Sequence, residues 1–270
     1  MKFNKTHLSL ELAEERYIQH RDYLAHCLRW SHALKYAVKQ RKEGLRVWDI
    51  GCGKEVPFLK ALYSNKMSPE IYHGSDVNKL ELPEMLKGAF DKGKFKVVLA
   101  TEDSAVAKLS FKPNLVICYE VLEHMPFTHV SKVLQNVCSQ LPDDGIFLMS
   151  TPCFNGDAAG NHPNEMTYEV MGSLIEEAGF AIPEHYGTFA SITDYKECLI
   201  VEYGEVGLSI FNNLRNYYDS NVLAVIFAPL FPAQSRNCLW HCTKAGNGYV
   251  RQFRQLSEIP KPWGNDPNVQ

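Results

Sequence analysis

VWDIGCGKEVPFL, residues 47–59, is the stretch on which the fold turns. Leu45 to Ile50 has the composition of a short buried strand, Gly51-Cys52-Gly53 makes a tight turn, and Val56 to Tyr63 reads as the helix after it. Glycines let a backbone approach a ligand closely, and a helix amino terminus offers unpaired N–H groups to it. Two ligand classes drop out at once. The dinucleotide fingerprint requires a glycine where Val56 stands, and the lysine pattern of a phosphate-binding loop is absent.

Working outward, the same rhythm of short apolar runs and helical stretches repeats. Strands are expected at Ile71 to Ser75, Phe95 to Ala100, Leu115 to Tyr119 and Gly145 to Ser150. Helices are expected around Leu82 to Phe90, over Val130 to Leu141, and over Tyr168 to Ala178, the last capped by Thr167 and stopped by Gly179. Alternation of this kind implies an α/β fold, a doubly wound, mostly parallel sheet with helices on both faces and ligands beyond the carboxyl ends of its strands. Two further strands, Ala181 to Ala190 and Arg236 to Lys244, bring the sheet to seven. Between them lies a mostly helical stretch that includes Leu208 to Tyr218 and Val222 to Leu230.

The domain organisation follows. Residues 1–44 form an amino-terminal helical cap, 45–190 with 236–244 the α/β core, 191–235 a helical insertion placed as a substrate lid, and 245–270 a loose carboxyl-terminal arm. The cap is expected to start at Ser9, with Glu11, Glu14 and Glu15 in its first turns and Tyr23, Cys27, Trp30, Leu34 and Ala37 along one face; Gly44 stops it.

The chain has 270 residues with a formal net charge of −3. Its 45% apolar and 11% aromatic content supports a packed core and excludes a wholly disordered chain. Up to Arg46, ten basic and five acidic residues give +5, and the remainder is −8. That basic segment is either a solvated helix face or a surface for an anionic substrate. The eight cysteines are dispersed, none at zinc-ribbon spacing, so free thiols and a reducing, cytoplasmic setting are expected. The most apolar run, Val222 to Phe231, is far short of the ~20 residues that cross a bilayer, so no membrane partner is expected.

The companions of the glycine turn give it meaning. Asp76 ends the second strand in YHGSDVN, where a carboxylate can accept both ribose hydroxyls. LATEDSAV follows the third strand with Glu102 and Asp103, and NLVICYEVLEHMP, Asn114 to Pro126, carries the fourth. Together these four motifs resemble the class I S-adenosylmethionine-dependent methyltransferases, in the branch typified by ubiquinone-biosynthesis O-methyltransferases. The resemblance covers about Arg46 to Phe180. It implies a Rossmann-like methyltransferase fold and S-adenosylmethionine as the cofactor. Asp49, Gly51, Cys52 and Gly53 would then form the loop under its methionine part, Asp76 would hold the ribose, and Val77 would flank the adenine. Glu102 or Asp103 would lie near the adenine amine, and Tyr119 beside the sulfonium. The sequence departs from the family at its usual third glycine, which is Glu55 here.

On the acceptor side, STPCFNGDAAGNHPNEMTYE, Ser150 to Glu169, is a long polar connection at the ligand-facing edge. His162 and Glu165 are the candidate catalytic residues, either able to take a proton from an acceptor hydroxyl or amine; the competing reading is a histidine that braces the loop. Cys153 superficially matches the nucleophile of RNA cytosine-5 methyltransferases, but the companion cysteine motif is missing, and a structural thiol is expected. The signature of amino-methyltransferases on adenine or cytosine is also absent. No metal is expected: in NCLWHC, strand alternation sets Cys238 and Cys242 opposite His241. Tyr195, Tyr203, Phe211, Tyr217 and Tyr218 in the insertion are either core or a wall for the acceptor. The acceptor is expected to be an oxygen or nitrogen of a small molecule. A nucleotide or nucleic-acid base is the alternative, and a non-catalytic S-adenosylmethionine-binding regulatory protein a further one.

Overall fold

The structure, a computed structural model, describes residues 21–40, 44–80, 86, 96–190 and 192–269. Helix α1 (Arg21–Gln40) precedes β1 (Arg46–Ile50), α2 (Pro57–Ser64), β2 (Ile71–Asp76) and β3 (Lys96–Thr101). Then come β4 (Leu115–Tyr119), α3 (Phe127–Gln140), β5 (Ile146–Pro152), α4 (Tyr168–Glu177) and β6 (Phe180–Phe189). Helices α5 (Ile192–Arg215) and α6 (Ser220–Ile226) precede the last strand, β7 (Asn237–Lys244). The expected cap at Ser9 with its acidic first turns lies outside the described residues, as does the helix around 82–90 apart from Leu86.

The seven strands form one sheet in the order β3-β2-β1-β4-β5-β7-β6. Strand β1 pairs in parallel with β2 on one side and β4 on the other, so the chain changes its direction of growth at β1. Crevices for ligands open at the carboxyl ends of such a strand pair. The register sets Asp49 beside Gly74 on one neighbour and Ile117 on the other. Trp48, Tyr72 and Phe147 are fully buried around this centre, and the Trp48 indole N–H donates to Ser75 Oγ at 3.0 Å.

One charge-bearing group sits inside that centre. Asp49 is buried in β1 and accepts a hydrogen bond from the Tyr72 hydroxyl on β2. Burial raises its carboxyl to about 7; Asp76 adds to the rise, and the Tyr72 bond opposes it.

Two compact units can be drawn among the described residues: 30–184 with 240–269, and 21–29 with 185–239. The second has its own core of Tyr195, Leu199, Phe211, Leu223, Ala224 and Phe227. Its helices differ from the expected bounds: α5 starts at Ile192 and runs through Gly204, whose φ of 57° kinks it, and α6 ends at Ile226. The acidic, glycine-interrupted stretch before Leu208 hid the first half of α5 from periodicity.

The tail from residue 245 is a correction to the expectation of a loose arm. The buried carboxylate of Glu176 on α4 accepts the Tyr249 hydroxyl at 2.7 Å and the Gln252 and Phe253 N–H groups at 2.7 and 3.1 Å. Arg254 binds Glu169 through two nitrogens at 2.6 and 2.8 Å, and the Phe253 ring packs on Tyr168 and Trp240. The polar composition of the tail hid this, because its anchors are single contacts to a helix about 75 residues earlier.

Two outcomes are expected. Asp49 titrates higher in the folded chain than in the unfolded one, so its contribution is present below about pH 4 and is lost as pH rises towards 7. Asp49→Asn should therefore melt above the parent at pH 8, with the gap closing towards pH 4; a gap independent of pH would refute this. Glu176→Ala strands three donors and should cost about 3 kcal/mol. Protease cleavage within 245–269 should appear before the core is cut, and an uncut tail would count against the anchor.

Candidate active site

The first turn after β1 is fixed by its backbone. Gly51 and Gly53 both have φ of 65°, and the N–H groups of Gly51 and Cys52 both donate to the Ser75 carbonyl, at 2.7 and 3.1 Å. A side chain on Gly51 would bring its Cβ within 2.3 Å of Val121 Cγ2, so only glycine fits there. Around the Cβ position of Gly53 nothing lies within 4 Å. Its N–H donates to Asp76 Oδ2 at 3.2 Å. Val56, with φ 37° and ψ 58°, takes left-handed geometry and is fully buried at the start of α2. Glu55 points away to an ion pair with Lys60.

Beyond the turn lies a cavity of about 500 Å³. Gly51, Asp76, Val77, Glu102 and Asp103, all expected at the cofactor, form part of its wall. Asp76 also accepts the Asn78 N–H at 2.8 Å and the Asn78 side-chain amide at 3.0 Å, which fixes its carboxylate at the end of β2. Glu102 is held by His73 Nε2 at 2.7 Å. Asp103 accepts the Ala105 N–H at 2.9 Å and meets His129 Nε2 at 2.9 Å; the first of these contacts leads in holding its carboxyl below the usual range. Asp49, Cys52, Gly53 and Tyr119 are not part of the wall. Asp49 and Cys52 are buried beneath it, and the Tyr119 ring stands edge-on to Trp30 at 5.4 Å.

Sequence reasoning missed two contributors. Glu120, at the end of β4, has φ of 57° and belongs to the wall; its carboxylate accepts the Ser150 hydroxyl at 2.7 Å. A non-glycine residue held at positive φ marks strain that the surrounding packing must sustain. His129 on α3 faces the cavity one turn into its helix, where nothing in the local pattern distinguishes it from a solvated polar residue.

The acceptor-side candidates do meet. His162 Nδ1 lies 2.6 Å from Glu165 Oε1, and the buried Glu165 also accepts the Ala159 N–H at 3.1 Å. Asn265, in the tail, clamps both: its side-chain oxygen accepts the Glu165 N–H at 2.6 Å and its amide donates to the His162 carbonyl at 2.7 Å. The His162 ring meets the His124 ring edge to face, 4.8 Å between centroids, and His124 belongs to the cavity wall. His124 follows Glu123 in a short 3-10 turn after β4. The remaining candidates lie elsewhere. Cys153 is buried, Cys238 and Cys242 are fully buried, and His241 Nδ1 meets the Tyr36 hydroxyl at 3.0 Å. In the insertion, Tyr195 and Phe211 are core, whereas Tyr203, Tyr217 and Tyr218 are exposed.

Comparison with known proteins agrees with this fold. The chain resembles in fold an O-methyltransferase from a trans-AT polyketide synthase of Brevibacillus brevis, solved with S-adenosyl-L-homocysteine: 17% identity, TM-score 0.52, 87% of this chain and 75% of that one. An S-adenosylmethionine-dependent methyltransferase from Clostridium acetobutylicum aligns at 12% identity and TM-score 0.50, over 81% of this chain and 92% of that one. A 1,6-didemethyltoxoflavin-N1-methyltransferase from Burkholderia thailandensis, solved with 1,6-didemethyltoxoflavin and S-adenosylhomocysteine, aligns at 13% and 0.50, over 81% and 79%. No curated protein matches the sequence. A family model described as a methyltransferase domain matches residues 17–199, well over half of the chain, and to that family of methyltransferase domains this protein belongs.

Proposed function

We propose that this chain transfers a methyl group from S-adenosylmethionine to an oxygen or nitrogen atom of a small-molecule acceptor, in the manner of the ubiquinone-biosynthesis O-methyltransferase branch that YEVLEH, residues 119–124, resembles. One observation carries the reading. Gly51, at the head of a glycine turn with positive φ at 51 and 53, and the fixed carboxylate of Asp76 line a single cavity at the sheet's switch point. The residues fit the cofactor: open space beside Gly53 admits the methionine part, and Asp76 offers two oxygens to vicinal ribose hydroxyls. Glu102, held by His73, and Asp103, held by the Ala105 N–H and His129, lie where the adenine end would rest. Four carboxylates in the wall, at 76, 102, 103 and 120, also suit a cationic ligand.

When bound, S-adenosylmethionine supplies an electrophilic methyl group on a sulfonium. The chain's part is then to hold the acceptor in line and, for a hydroxyl or amine, to accommodate its proton. His162 and Glu165 are the residues proposed for that second task, because the carboxylate on Nδ1 leaves Nε2 as the nitrogen with a lone pair. An acceptor oxygen or nitrogen is supported by the structural relatives, whose names include both an O- and an N-methyltransferase. A nucleotide or nucleic-acid base is the second acceptor class, on the +5 charge of residues 1–46.

Calorimetric titration of S-adenosylmethionine and S-adenosylhomocysteine should give micromolar binding to the parent chain and at least tenfold weaker binding to Asp76→Ala. Folded parent protein that binds neither would overturn the methyltransferase reading. A Gly53→Val variant, which fills the open space at a left-handed position, should lose binding as well.

A further inference from the structure

We infer that Glu123, His124 and His162 form a binding site for one divalent transition-metal ion beside the cavity, whose wall His124 joins. The inference deepens the function proposed above, but metal binding itself requires neither the cofactor nor an acceptor.

The three side chains each offer a ligand atom, and these atoms lie within 4.8 Å of one another. A dication bonded at about 2.0–2.2 Å holds neighbouring ligands roughly 3.0–3.4 Å apart. A shift of roughly 1.4–1.8 Å at most closes the set, and His124 is exposed on the turn after β4. Glu123, by contrast, is buried, which makes it a fixed carboxylate rather than a solvated one.

The surroundings of both imidazoles favour metal ligation over mere packing. His124 Nδ1 lies 3.2 Å from the Asn161 carbonyl, which only accepts, so that nitrogen carries the proton and Nε2 the lone pair. His162 Nδ1 lies 2.6 Å from buried Glu165, which sets the same tautomer. A carboxylate or carbonyl behind each imidazole orients the ring and fixes which nitrogen can face an ion. The backbone is stitched to match. Asn164, fully buried, donates its N–H to the Glu123 carbonyl at 3.2 Å and its side-chain amide to the Met125 carbonyl at 3.0 Å. The loop carrying His162 is thereby tied to the turn carrying the other two ligands.

Two imidazoles with one carboxylate select ions such as Mn²⁺, Fe²⁺, Co²⁺ or Zn²⁺; Mg²⁺ prefers oxygen ligands and water. Three protein ligands would leave coordination positions open, and His124, which lines the cavity, would bring the ion to its edge. An acceptor oxygen or nitrogen taking one of them would be oriented by the ion. With the ion bound, the Nε2 lone pair of His162 is on the metal and no longer takes the acceptor's proton, and Glu165 acts as a positioning residue through His162.

The test is titration of the purified full chain, without cofactor, by Mn²⁺ followed by electron paramagnetic resonance and by Co²⁺ followed by visible absorption. One ion per chain is expected, with binding at least a hundredfold weaker in His124→Ala and in His162→Ala. Glu165→Gln should weaken it by about 10–100-fold. The Co²⁺ spectrum should lack the intense near-ultraviolet band of thiolate ligation. No stoichiometric binding, a thiolate band, or affinity unchanged in His124→Ala, an exposed position at which the fold should survive, would overturn the site. S-adenosylhomocysteine calorimetry on the same samples separates the two readings. Cofactor binding without metal binding removes only the metal centre, and metal binding without cofactor binding removes only the methyltransferase assignment.

Discussion

The carbonyl oxygen of Ser75 takes two hydrogen bonds at once, from the N–H groups of Gly51 and Cys52. This single acceptor ties the end of β1 to the end of β2 just past their shared ladder, and the rest of the site hangs from it. The turn cannot drift, so the next N–H, on Gly53, falls on Asp76. Asp76, in turn, is held from its other side by Asn78. Turn and carboxylate are thus one rigid unit, oriented by the sheet rather than by the loop's own composition. The approach of Val121 to Gly51 closes the arrangement from β4's side of the switch point.

Rigidity here is bought with backbone strain. Val56 and Glu120 hold positive φ without being glycine, the first on the cofactor turn and the second at the end of β4. Such positions cost on the order of 1–3 kcal/mol each and persist only where packing over-determines them. Val56 is fully buried, and Glu120 is gripped through both its N–H and its carboxylate by Ser150. A left-handed valine has fewer alternatives than a left-handed glycine, so the turn loses less freedom when a ligand arrives.

What could be read from the sequence was what depends on local pattern. Strand β4 was placed residue for residue, because Leu115 to Tyr119 is an unbroken apolar run bounded by turn residues. The Thr167 cap of α4 was legible for the same reason, since its side chain accepts the Val170 N–H. Asp76 ends β2, and Glu102 and Asp103 follow β3 at the same edge of the sheet, so the strand pattern alone brings the three into one cavity wall. The glycine turn was legible as a motif, but not the left-handed backbone at Val56, which follows from burial and not from residue type. The meeting of His124 with His162 was not legible: the two lie 38 residues apart, and contacts of Asn161 and Asn164 with the turn after β4 bring the rings together. The tail was misread for a related cause, as its order comes from Glu176 and Glu165, far back in the chain.

Asn265 makes the pairing of His162 with Glu165 answer to a residue 100 positions further along the chain than Glu165. The glycine turn and Asp76, by contrast, are joined across 23 positions. Loss of the tail's grip would therefore free the His162–Glu165 pair and leave turn and carboxylate as they are, so the two groups answer to different parts of the chain.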